Sequence, residues 1–297
     1  MNILLTGSKG QLGNEISSII KSGKAEIGAV SNEYKAYKLF QTDVPELDIC
    51  SLSDVRSFCK ENKINLIINC AAFTNVDACE TERESAFKVN VIGPRNLAIV
   101  AQECNAKLVH VSTDYVFSGD ATKPYLESDV CGPKSVYGST KYLGEQYVRN
   151  FCEKYFIVRT SWLYGYIGKN FVKTMVRLAT KNDEIKVVND QRGNPTNAND
   201  LAYHILKICL TNEYGIYHCT GEGECTWFDF ATEIIKLYGL DCKILPCSSS
   251  EFPSPVKRPA YSSLDNMMLR ITVGNEMRDW KVALKEYIKN LKERKLI

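Results

Sequence analysis

Short apolar runs alternate with segments of helical periodicity along the first half of the chain. The apolar runs predict buried strands over 2–6, 26–30, 66–69, 107–112 and 155–160. Between them, apolar residues recur every three or four positions, which predicts helices over 11–21, 53–62, 76–104 and 136–150. The polar and aromatic stretch 32–46 is predicted to be a loop. Repeated strand–helix units form right-handed crossovers and a parallel sheet with helices on both faces.

This rhythm changes beyond residue 160. Helices are predicted over 170–180, 201–210, 228–238 and 279–290, with a short strand over 216–219. We therefore predict an α/β fold, with a Rossmann-type doubly wound parallel sheet and a smaller α/β C-terminal substrate lobe. The NAD(P)-binding domain is assigned to residues 1–160 and the interleaved substrate-binding lobe to residues 161–297.

Composition narrows the class of protein. The 297 residues include 37 basic and 35 acidic side chains, and the net charge of +2 gives no argument for a nucleic-acid polymer or an anionic membrane as partner. No apolar run approaches the roughly 18 residues of a membrane helix, and no signal peptide is recognisable, so we expect a cytoplasmic protein. The 12 cysteines form no C-x-x-C pair and are expected to be reduced, and the histidines lack metal-ligand spacing.

A glycine-rich turn follows the first predicted strand. Gly7, Gly10 and Gly13 form a G-x-x-G-x-x-G pattern, which differs from the G-x-G-x-x-G of the Rossmann fingerprint but serves the same physical purpose. Such glycines let a pyrophosphate approach the N-terminus of the next helix, where free amides and the helix dipole favour anions. The alternative is an ordinary strand-to-helix turn. The position directly after the first strand favours nucleotide binding.

A tyrosine and a lysine lie four residues apart in the predicted helix 136–150. Tyr137 and Lys141 therefore project from one helix face. The ammonium group is expected to lower the pKa of the tyrosine, so that the phenol can exchange a proton with a carbonyl oxygen. The alternative is a solvated surface pair. The strand 107–112 ends in Ser112-Thr113-Asp114, which places a hydroxyl and a carboxylate at the sheet edge where such folds bind ligands.

Several ordered motifs carry a family resemblance. They lie at residues 6–13, 69–74, 112–117, 137–141, 159–165, 189–196 and 258–265. The chain resembles the extended short-chain dehydrogenase/reductases and, within them, the dTDP-4-dehydrorhamnose reductase family. This resemblance implies the NAD(P)H-dependent reduction of dTDP-4-dehydro-β-L-rhamnose to dTDP-L-rhamnose, a nucleotide-sugar reaction of bacterial polysaccharide biosynthesis.

The resemblance also implies roles for individual residues. The catalytic residues would be Thr113, Tyr137 and Lys141. Cofactor contacts are expected from Gly7, Gly10, Gln11, Leu12, Gly13, Asp48, Ile49, Ala71, Ala72, Phe73, Thr74, Asn90, Val111, Tyr137 and Lys141. Substrate contacts are expected from Thr113, Asp114 and Trp162. Phe73 stands where the family has a histidine, which leaves a polar role at that position open.

The end of the second strand normally selects between the two nicotinamide cofactors. A carboxylate there binds the ribose 2′-hydroxyl of NAD and repels the 2′-phosphate of NADP. The predicted second strand ends at Val30-Ser31-Asn32 without a carboxylate, although Glu33 lies just beyond it. Lys9 and Lys35 are available cations. We therefore expect NADPH as the cofactor, with NADH also accepted.

The resemblance does not decide the roles of two charged sites. Arg258 would either contact the substrate diphosphate or form a surface salt bridge. Some members of the family bind Mg²⁺ through acidic side chains at a dimer interface. Glu15 occupies one matching position, but Asn199 stands near the place where another carboxylate is expected. Both the metal and a homodimer therefore stay open.

Other functions are also compatible with these motifs. They are another nucleotide-sugar 4-ketoreductase, an epimerase or dehydratase that regenerates its bound NAD, and the non-enzymatic regulatory subunit of methionine adenosyltransferase. The joint presence of Thr113, Tyr137 and Lys141 favours catalysis, because a regulatory subunit has no physical need for this set.

Overall fold

The computed structural model describes residues 1–252, 254–294 and 296. Within them the strands are β1 (Asn2–Thr6), β2 (Lys38–Thr42), β3 (Leu66–Asn69), β4 (Lys107–Thr113), β5 (Tyr155–Thr160), β6 (Leu163–Tyr164), β7 (Glu184–Val188), β8 (Arg192–Gly193), β9 (Thr196–Asn197), β10 (Gly215–His218), β11 (Cys225–Thr226) and β12 (Lys243–Cys247). The α-helices are α1 (Gln11–Ser22), α2 (Leu52–Glu61), α3 (Val76–Thr81), α4 (Arg83–Phe87), α5 (Gly93–Glu103), α6 (Val136–Phe151), α7 (Phe171–Ala179), α8 (Ala198–Cys209), α9 (Trp227–Tyr238), α10 (Met267–Thr272) and α11 (Trp280–Glu293).

A parallel sheet in the order β2–β1–β3–β4–β5–β10 occupies the centre of the described fold. Its inner strands are apolar runs because helices bury both faces, and Ile3, Leu4 and Leu5 have no exposed surface. Helices α1 and α8 pack on one face, and α2 and α5 pack on the other. The predicted Rossmann-type α/β fold is confirmed.

The order of the strands creates a crevice beside β1. The chain runs from β1 to the edge strand β2 and then returns to the other side of β1 as β3. The connections after β1 and β3 therefore diverge to opposite faces of the sheet, and the carboxyl ends of these strands open a space between them. This is the place where open α/β sheets bind their ligands.

The second strand is Lys38–Thr42, so the predicted strand over 26–30 is wrong, as is the loop predicted for the whole of 32–46. β2 is an edge strand with solvent-exposed Lys38 and Gln41, and it therefore lacks a continuous apolar run. The segment 26–30 instead contains bends and a single bridge from Ala29 to Lys24. This shift moves the end of the second strand to Thr42.

Most of the other predicted elements are confirmed to within a few residues. The long helix predicted over 76–104 is instead divided into α3, α4, a π-helical turn over Lys88–Ile92, and α5. The sequence did not predict β6–β9, β11, β12 or α10, which are short or carry polar residues among their apolar ones. Among the described residues, no helix has the length and apolar character needed to cross a membrane.

A second core lies beyond the sheet. Helices α7, α9 and α11 pack around Phe230, Leu284 and Tyr287, next to the parallel pair formed by β7 and β12. The chain also returns to the first core after residue 160, because β10 pairs with β5 and α8 packs on α1. The two cores are therefore interleaved in sequence.

Candidate active site

A cavity of about 670 Å³ lies at the carboxyl ends of β1, β3, β4 and β5. The predicted site residues that line it are Gly7, Gly10, Gln11, Leu12, Gly13, Asp48, Ile49, Ala71, Ala72, Phe73, Thr74, Val111, Thr113, Asp114, Tyr137, Lys141 and Trp162. The structure thus brings every predicted site residue except Asn90 into one cleft. Their individual roles stay predictions.

The glycine turn between β1 and α1 is tight at two positions. Gly7 has a φ of 65°, and a Cβ added there would lie 2.6 Å from the backbone nitrogen of Ala71. A Cβ on Gly13 would lie 2.3 Å from the carbonyl oxygen of Gly7. Side chains are therefore excluded from the turn, and the first amides of α1 are left open to the cleft, which suits a pyrophosphate.

Gln11 connects this turn to the second half of the chain. Its Oε1 accepts hydrogen bonds from the backbone nitrogen of Gly165 at 2.9 Å and from Nδ2 of Asn170 at 3.0 Å. Asn170 also caps α7 by accepting from the backbone nitrogen of Lys173. The side chain of the first residue of α1 is therefore bonded to the segment that leads into the second core.

Helix α6 carries Tyr137 and Lys141 on the face that lines the cleft. Ser135 caps the helix by accepting a hydrogen bond from the backbone nitrogen of Gly138 at 3.1 Å. A Cβ on Gly138 would lie only 2.2 Å from the carbonyl oxygen of Tyr115. The glycine therefore allows α6 to approach the chain that follows β4, where Thr113 stands.

Burial raises the pKa of Tyr137 well above its ordinary value, and the nearby Thr113 hydroxyl opposes this shift only in part. The expectation that the Lys141 ammonium lowers the pKa of Tyr137 is therefore wrong for this arrangement. The desolvation of the phenol dominates the shift, and Lys141 Nζ donates to the carbonyl oxygen of Val111 at 2.7 Å. At neutral pH the phenol holds its proton.

Lys141 itself is almost completely buried. Burial lowers its pKa to about 8, against the attraction of the Glu145 carboxylate. Glu145 is fully buried and pairs with Arg159, with 2.7 Å between Oε2 and the Arg159 nitrogen. Ser112 donates to the same carboxylate at 2.5 Å. Arg159 and Ser112 thus compensate much of the negative charge that Glu145 places beside Lys141.

Thr113 and Asp114 lie together at the end of β4. The Thr113 hydroxyl donates to Oδ1 of Asp114 at 2.9 Å. Burial raises the pKa of Asp114 to about 6, although the nearby hydroxyls of Ser262 and Thr113 lower it in part. Oδ2 of Asp114 is buried without a hydrogen-bond partner among the described residues. Oδ2 of Asp114 could therefore bond to a ligand that lies beside the Tyr137 hydroxyl.

Asn90 lies behind the cleft rather than on its surface. It belongs to the π-helical turn, and its side chain exchanges two hydrogen bonds with the backbone of Phe73, at 2.8 and 3.1 Å. Its Nδ2 also donates to Thr140 at 3.2 Å. Asn90 therefore fixes the segment after β3 against α6, which is an indirect way of shaping the cofactor region.

Two stacked indoles form one wall of the cleft. Trp162 and Trp227 lie with their ring centroids 3.5 Å apart and their planes inclined by 7°. Trp162 has a φ of 45°, which is unusual for a bulky residue, and a Cβ on Gly193 would lie 2.7 Å from its indole. Sequence reasoning missed Trp227, whose one signal is an aromatic residue directly after the helix cap Thr226.

The residue that follows the second strand is Asp43, which the sequence prediction missed. It lines the cleft, and its carboxylate accepts from the backbone nitrogens of Lys9 at 3.2 Å and Val44 at 3.1 Å. The expectation that no carboxylate follows the second strand is therefore wrong. The misplaced strand caused this error.

The two cations considered for a 2′-phosphate differ in position. Lys9 lies next to the glycine turn and is paired with Glu46 at 2.7 Å, with both side chains exposed. Lys35 lies beside Gly23 at the opposite end of α1, away from the cleft. Of the two cations, Lys9 is thus the one near the cleft, where its backbone nitrogen bonds to Asp43.

A second cavity, of about 810 Å³, adjoins the first, because Trp227 lines both. Lys186, Lys257 and Arg258 contribute positive charge to its walls, and Asp77 and Asp190 contribute negative charge. Arg258 stands 3.4 Å from the carboxylate of Asp77, and both side chains are partly exposed. The salt bridge predicted as one alternative for Arg258 is present, and it lies on the cavity wall.

The residues expected at a magnesium site are not arranged for a cation. Oε2 of Glu15 accepts a hydrogen bond from Nδ2 of Asn199 at 2.8 Å, and both side chains are buried. Burial also raises the pKa of Glu15. Over residues 1–252, 254–294 and 296, no group of three histidine, cysteine, aspartate or glutamate side chains is placed to hold a metal ion. The structure does not support Mg²⁺ binding here.

Comparisons with known proteins agree with this geometry. A family model described as the RmlD substrate binding domain matches residues 1–293. A dTDP-4-dehydrorhamnose reductase of Aggregatibacter actinomycetemcomitans is 39% identical over 297 aligned positions, which cover 95% of this chain and 97% of the relative.

Two solved structures are similar over almost the whole chain. A dTDP-4-dehydrorhamnose reductase from Clostridium acetobutylicum is 49% identical, with a TM-score of 0.93 and coverage of 98% of this chain and 100% of that one. The Bacillus anthracis dTDP-4-dehydrorhamnose reductase in complex with NADP is 41% identical, with a TM-score of 0.91 and coverage of 97% and 99%. The chain therefore belongs to the RmlD substrate binding domain family, as its resemblance to the dTDP-4-dehydrorhamnose reductases predicted.

Proposed function

We propose that this protein reduces dTDP-4-dehydro-β-L-rhamnose to dTDP-L-rhamnose with a reduced nicotinamide dinucleotide. The observation that carries the proposal is the meeting of Thr113, Tyr137 and Lys141 with the glycine turn in one cleft. The full-length similarity to dTDP-4-dehydrorhamnose reductases supports the choice of sugar.

The glycine turn and the segment after β3 would hold the cofactor. Gly7 and Gly13 let the backbone of the turn pack closely on itself and on the segment after β3, and the N-terminus of α1 would bind the pyrophosphate. The NADP bound to the Bacillus anthracis relative supports NADPH. Asp43 is placed to accept from a ribose 2′-hydroxyl, so we propose that NADH is accepted as well. When bound, the nicotinamide supplies the hydride.

The chain's own residues would manage the proton and the orientation of the ketone. Tyr137 holds its proton at neutral pH and would donate it to the oxygen that becomes the 4-hydroxyl. Thr113 would orient that oxygen when its hydroxyl turns from Oδ1 of Asp114 to the ketone. Lys141 keeps a positive charge close to the phenol, which favours the phenolate that donation leaves behind.

The second cavity would receive the dTDP portion of the substrate. Its positive side chains suit a diphosphate, and Trp227 extends from this cavity to the cleft. The sugar would then lie against the indole of Trp162, near Asp114. We also propose the division into an NAD(P)-binding domain over 1–160 and a substrate lobe over 161–297, with β10 and α8 returning to the first.

The decisive experiment follows NADPH oxidation with a panel of nucleotide 4-keto sugars. We expect oxidation of one NADPH per molecule of dTDP-4-dehydro-rhamnose and a product with a 4-hydroxyl by NMR. Preference for another 4-keto sugar would assign the protein to a different ketoreductase. Conversion without net NADPH consumption would indicate an epimerase or dehydratase. NADPH binding without turnover, together with association with a methionine adenosyltransferase, would support the regulatory alternative.

A further inference from the structure

A buried histidine lies beneath the proposed catalytic lysine. His110 stands opposite Asn69 of the neighbouring strand and has no exposed surface. Its Nδ1 is 3.0 Å from Nδ2 of Asn69, and its Nε2 is 3.5 Å from Nζ of Lys141. The three side chains come from β3, β4 and α6 and form a row that ends at the cleft. The proposed mechanism assigns no role to His110.

The orientation of the Asn69 amide determines which nitrogen of His110 carries the proton. Oδ1 of Asn69 accepts from the Thr6 hydroxyl at 2.7 Å and from the backbone nitrogen of Ala71 at 3.1 Å. A backbone N–H can only donate, so the amide oxygen must face Ala71 and the NH₂ group must face His110. Nδ1 of His110 therefore accepts, and the neutral ring carries its proton on Nε2.

We propose that His110 is a positioning residue that turns the Lys141 ammonium group toward the cleft and favours its deprotonation. The Nε2–H group of His110 cannot accept a hydrogen bond from Lys141. One N–H of Lys141 is used by the carbonyl oxygen of Val111 at 2.7 Å, so the others are directed to the cleft side, where Tyr137 stands. A donor that faces an ammonium group also opposes its charge.

The other groups near this row modify the effect without replacing it. Glu145 of α6 attracts the Lys141 charge but is paired with Arg159 of β5. Cys70, after β3, also faces Lys141, and burial raises the pKa of its thiol to about 12, so that it stays neutral. Burial and the nearby Lys141 charge hold the pKa of His110 well below its ordinary value. The ring is thus a fixed neutral donor.

The first test uses the unmodified protein. The ¹⁵N chemical shifts of the His110 ring distinguish the two neutral tautomers and the imidazolium ion. We expect the Nε2–H tautomer throughout the range from about pH 6 to about pH 9, around the ordinary pKa of histidine. An Nδ1–H tautomer, or a ring that titrates in this range, would overturn the inference whatever reaction the protein catalyses.

The second test reverses the tautomer with Asn69→Asp. A carboxylate would accept from Nδ1–H and leave Nε2 as an acceptor for Lys141, so the lysine should stay charged to higher pH. We expect the Lys141 pKa, followed by ¹³Cε NMR, to rise by about one unit or more. The same substitution in a His110→Phe background is the control, because it keeps the added charge but removes the ring nitrogens.

The comparison between the two backgrounds decides the inference. Most of the pKa increase should disappear when His110 is absent, and an equal increase in both backgrounds would show that only charge acts. The kinetic counterpart rests on the proposed reductase function: the alkaline limb of kcat/KM should move to higher pH in Asn69→Asp. A protein without reductase activity would refute the proposed function, while the NMR measurements would still test the role of His110.

Discussion

Among the residues of the cleft, Tyr137 combines a proton-donating group with an environment that opposes its ionisation. Burial raises the pKa of the phenol, and Lys141 gives its shortest hydrogen bond to Val111 rather than to Tyr137. A protonated phenol is the form that the reduction of a ketone requires. The phenolate would have to be stabilised during proton transfer, and Lys141, which lines the same cleft, would supply a positive charge for this.

The substitution Tyr137→Phe removes the proton donor but keeps the ring that packs against Tyr115 at 5.5 Å. We expect kcat for the 4-keto sugar to fall by at least about 10², the lower range for the loss of a general acid. NADPH affinity and the free energy of unfolding should change little. Steady-state kinetics, with cofactor titration as the control, provide the measurement. Near-normal turnover would remove Tyr137 from proton transfer.

The substitution Asp43→Asn tests the ribose end of the cleft. The amide has a single acceptor oxygen, so it can keep only one of the two hydrogen bonds from the backbone nitrogens of Lys9 and Val44, and it loses the negative charge. Repulsion of a 2′-phosphate should decrease, so the preference for NADPH over NADH should increase by about tenfold, which corresponds to about 1.4 kcal/mol. Fluorescence titrations with both cofactors measure the ratio. An unchanged ratio would exclude Asp43 from cofactor selection.

At the scale of the elements, the close approach of α6 to the end of β4 depends on Gly138. The substitution Gly138→Ala places a methyl group 2.2 Å from the carbonyl oxygen of Tyr115. Alanine normally stabilises a helix relative to glycine by up to about 1 kcal/mol. Here we expect a loss of about 1–3 kcal/mol in the free energy of unfolding, together with lower activity.

The neighbouring substitution Ser139→Ala is the matched control for Gly138→Ala. Ser139 lies on the same turn of α6 and is partly exposed, so its replacement should leave stability almost unchanged. Urea unfolding of both variants gives the comparison. A stabilised Gly138→Ala protein would mean that α6 can move away from β4 without cost.

The elements that the sequence predicted well are those whose pattern depends on burial on both sides. Leu66–Asn69 and Tyr155–Thr160 were predicted with the bounds that the structure has, because strands buried on both faces carry an uninterrupted apolar run, here followed by polar residues at the carboxyl end. β2 was missed because an edge strand keeps polar residues, and that error hid Asp43. The sequence also could not predict the sign of the Tyr137 pKa shift, because spacing along a helix carries no information about how far the phenol is desolvated.

Across the whole molecule, the sequence indicated the proposed catalytic residues but not the contacts between the walls of the cleft. Thr113, Tyr137 and Lys141 belong to two short motifs and could be found locally. The stacking of Trp162 on Trp227 joins residues far apart in the chain, as does the pairing of Asp77 with Arg258. Such contacts depend on how the second core folds back on the sheet, which periodicity does not specify.

The hydrogen bonds of Gln11 to Gly165 and Asn170 imply that the two ligands bind cooperatively. A dinucleotide that immobilises the start of α1 also immobilises the residues that lead into α7. The protein therefore loses less conformational entropy when the second ligand binds. We expect NADPH to tighten dTDP binding by about fivefold or more in calorimetry, and dTDP to tighten NADPH binding by the same factor.

Gln11→Ala should reduce this factor toward one, whereas the exposed control Ser18→Ala should preserve it. If the factor is unchanged in Gln11→Ala, residues other than Gln11 couple the two sites. If it is lost, a single amide on the first helical residue couples the affinities of the two ligands.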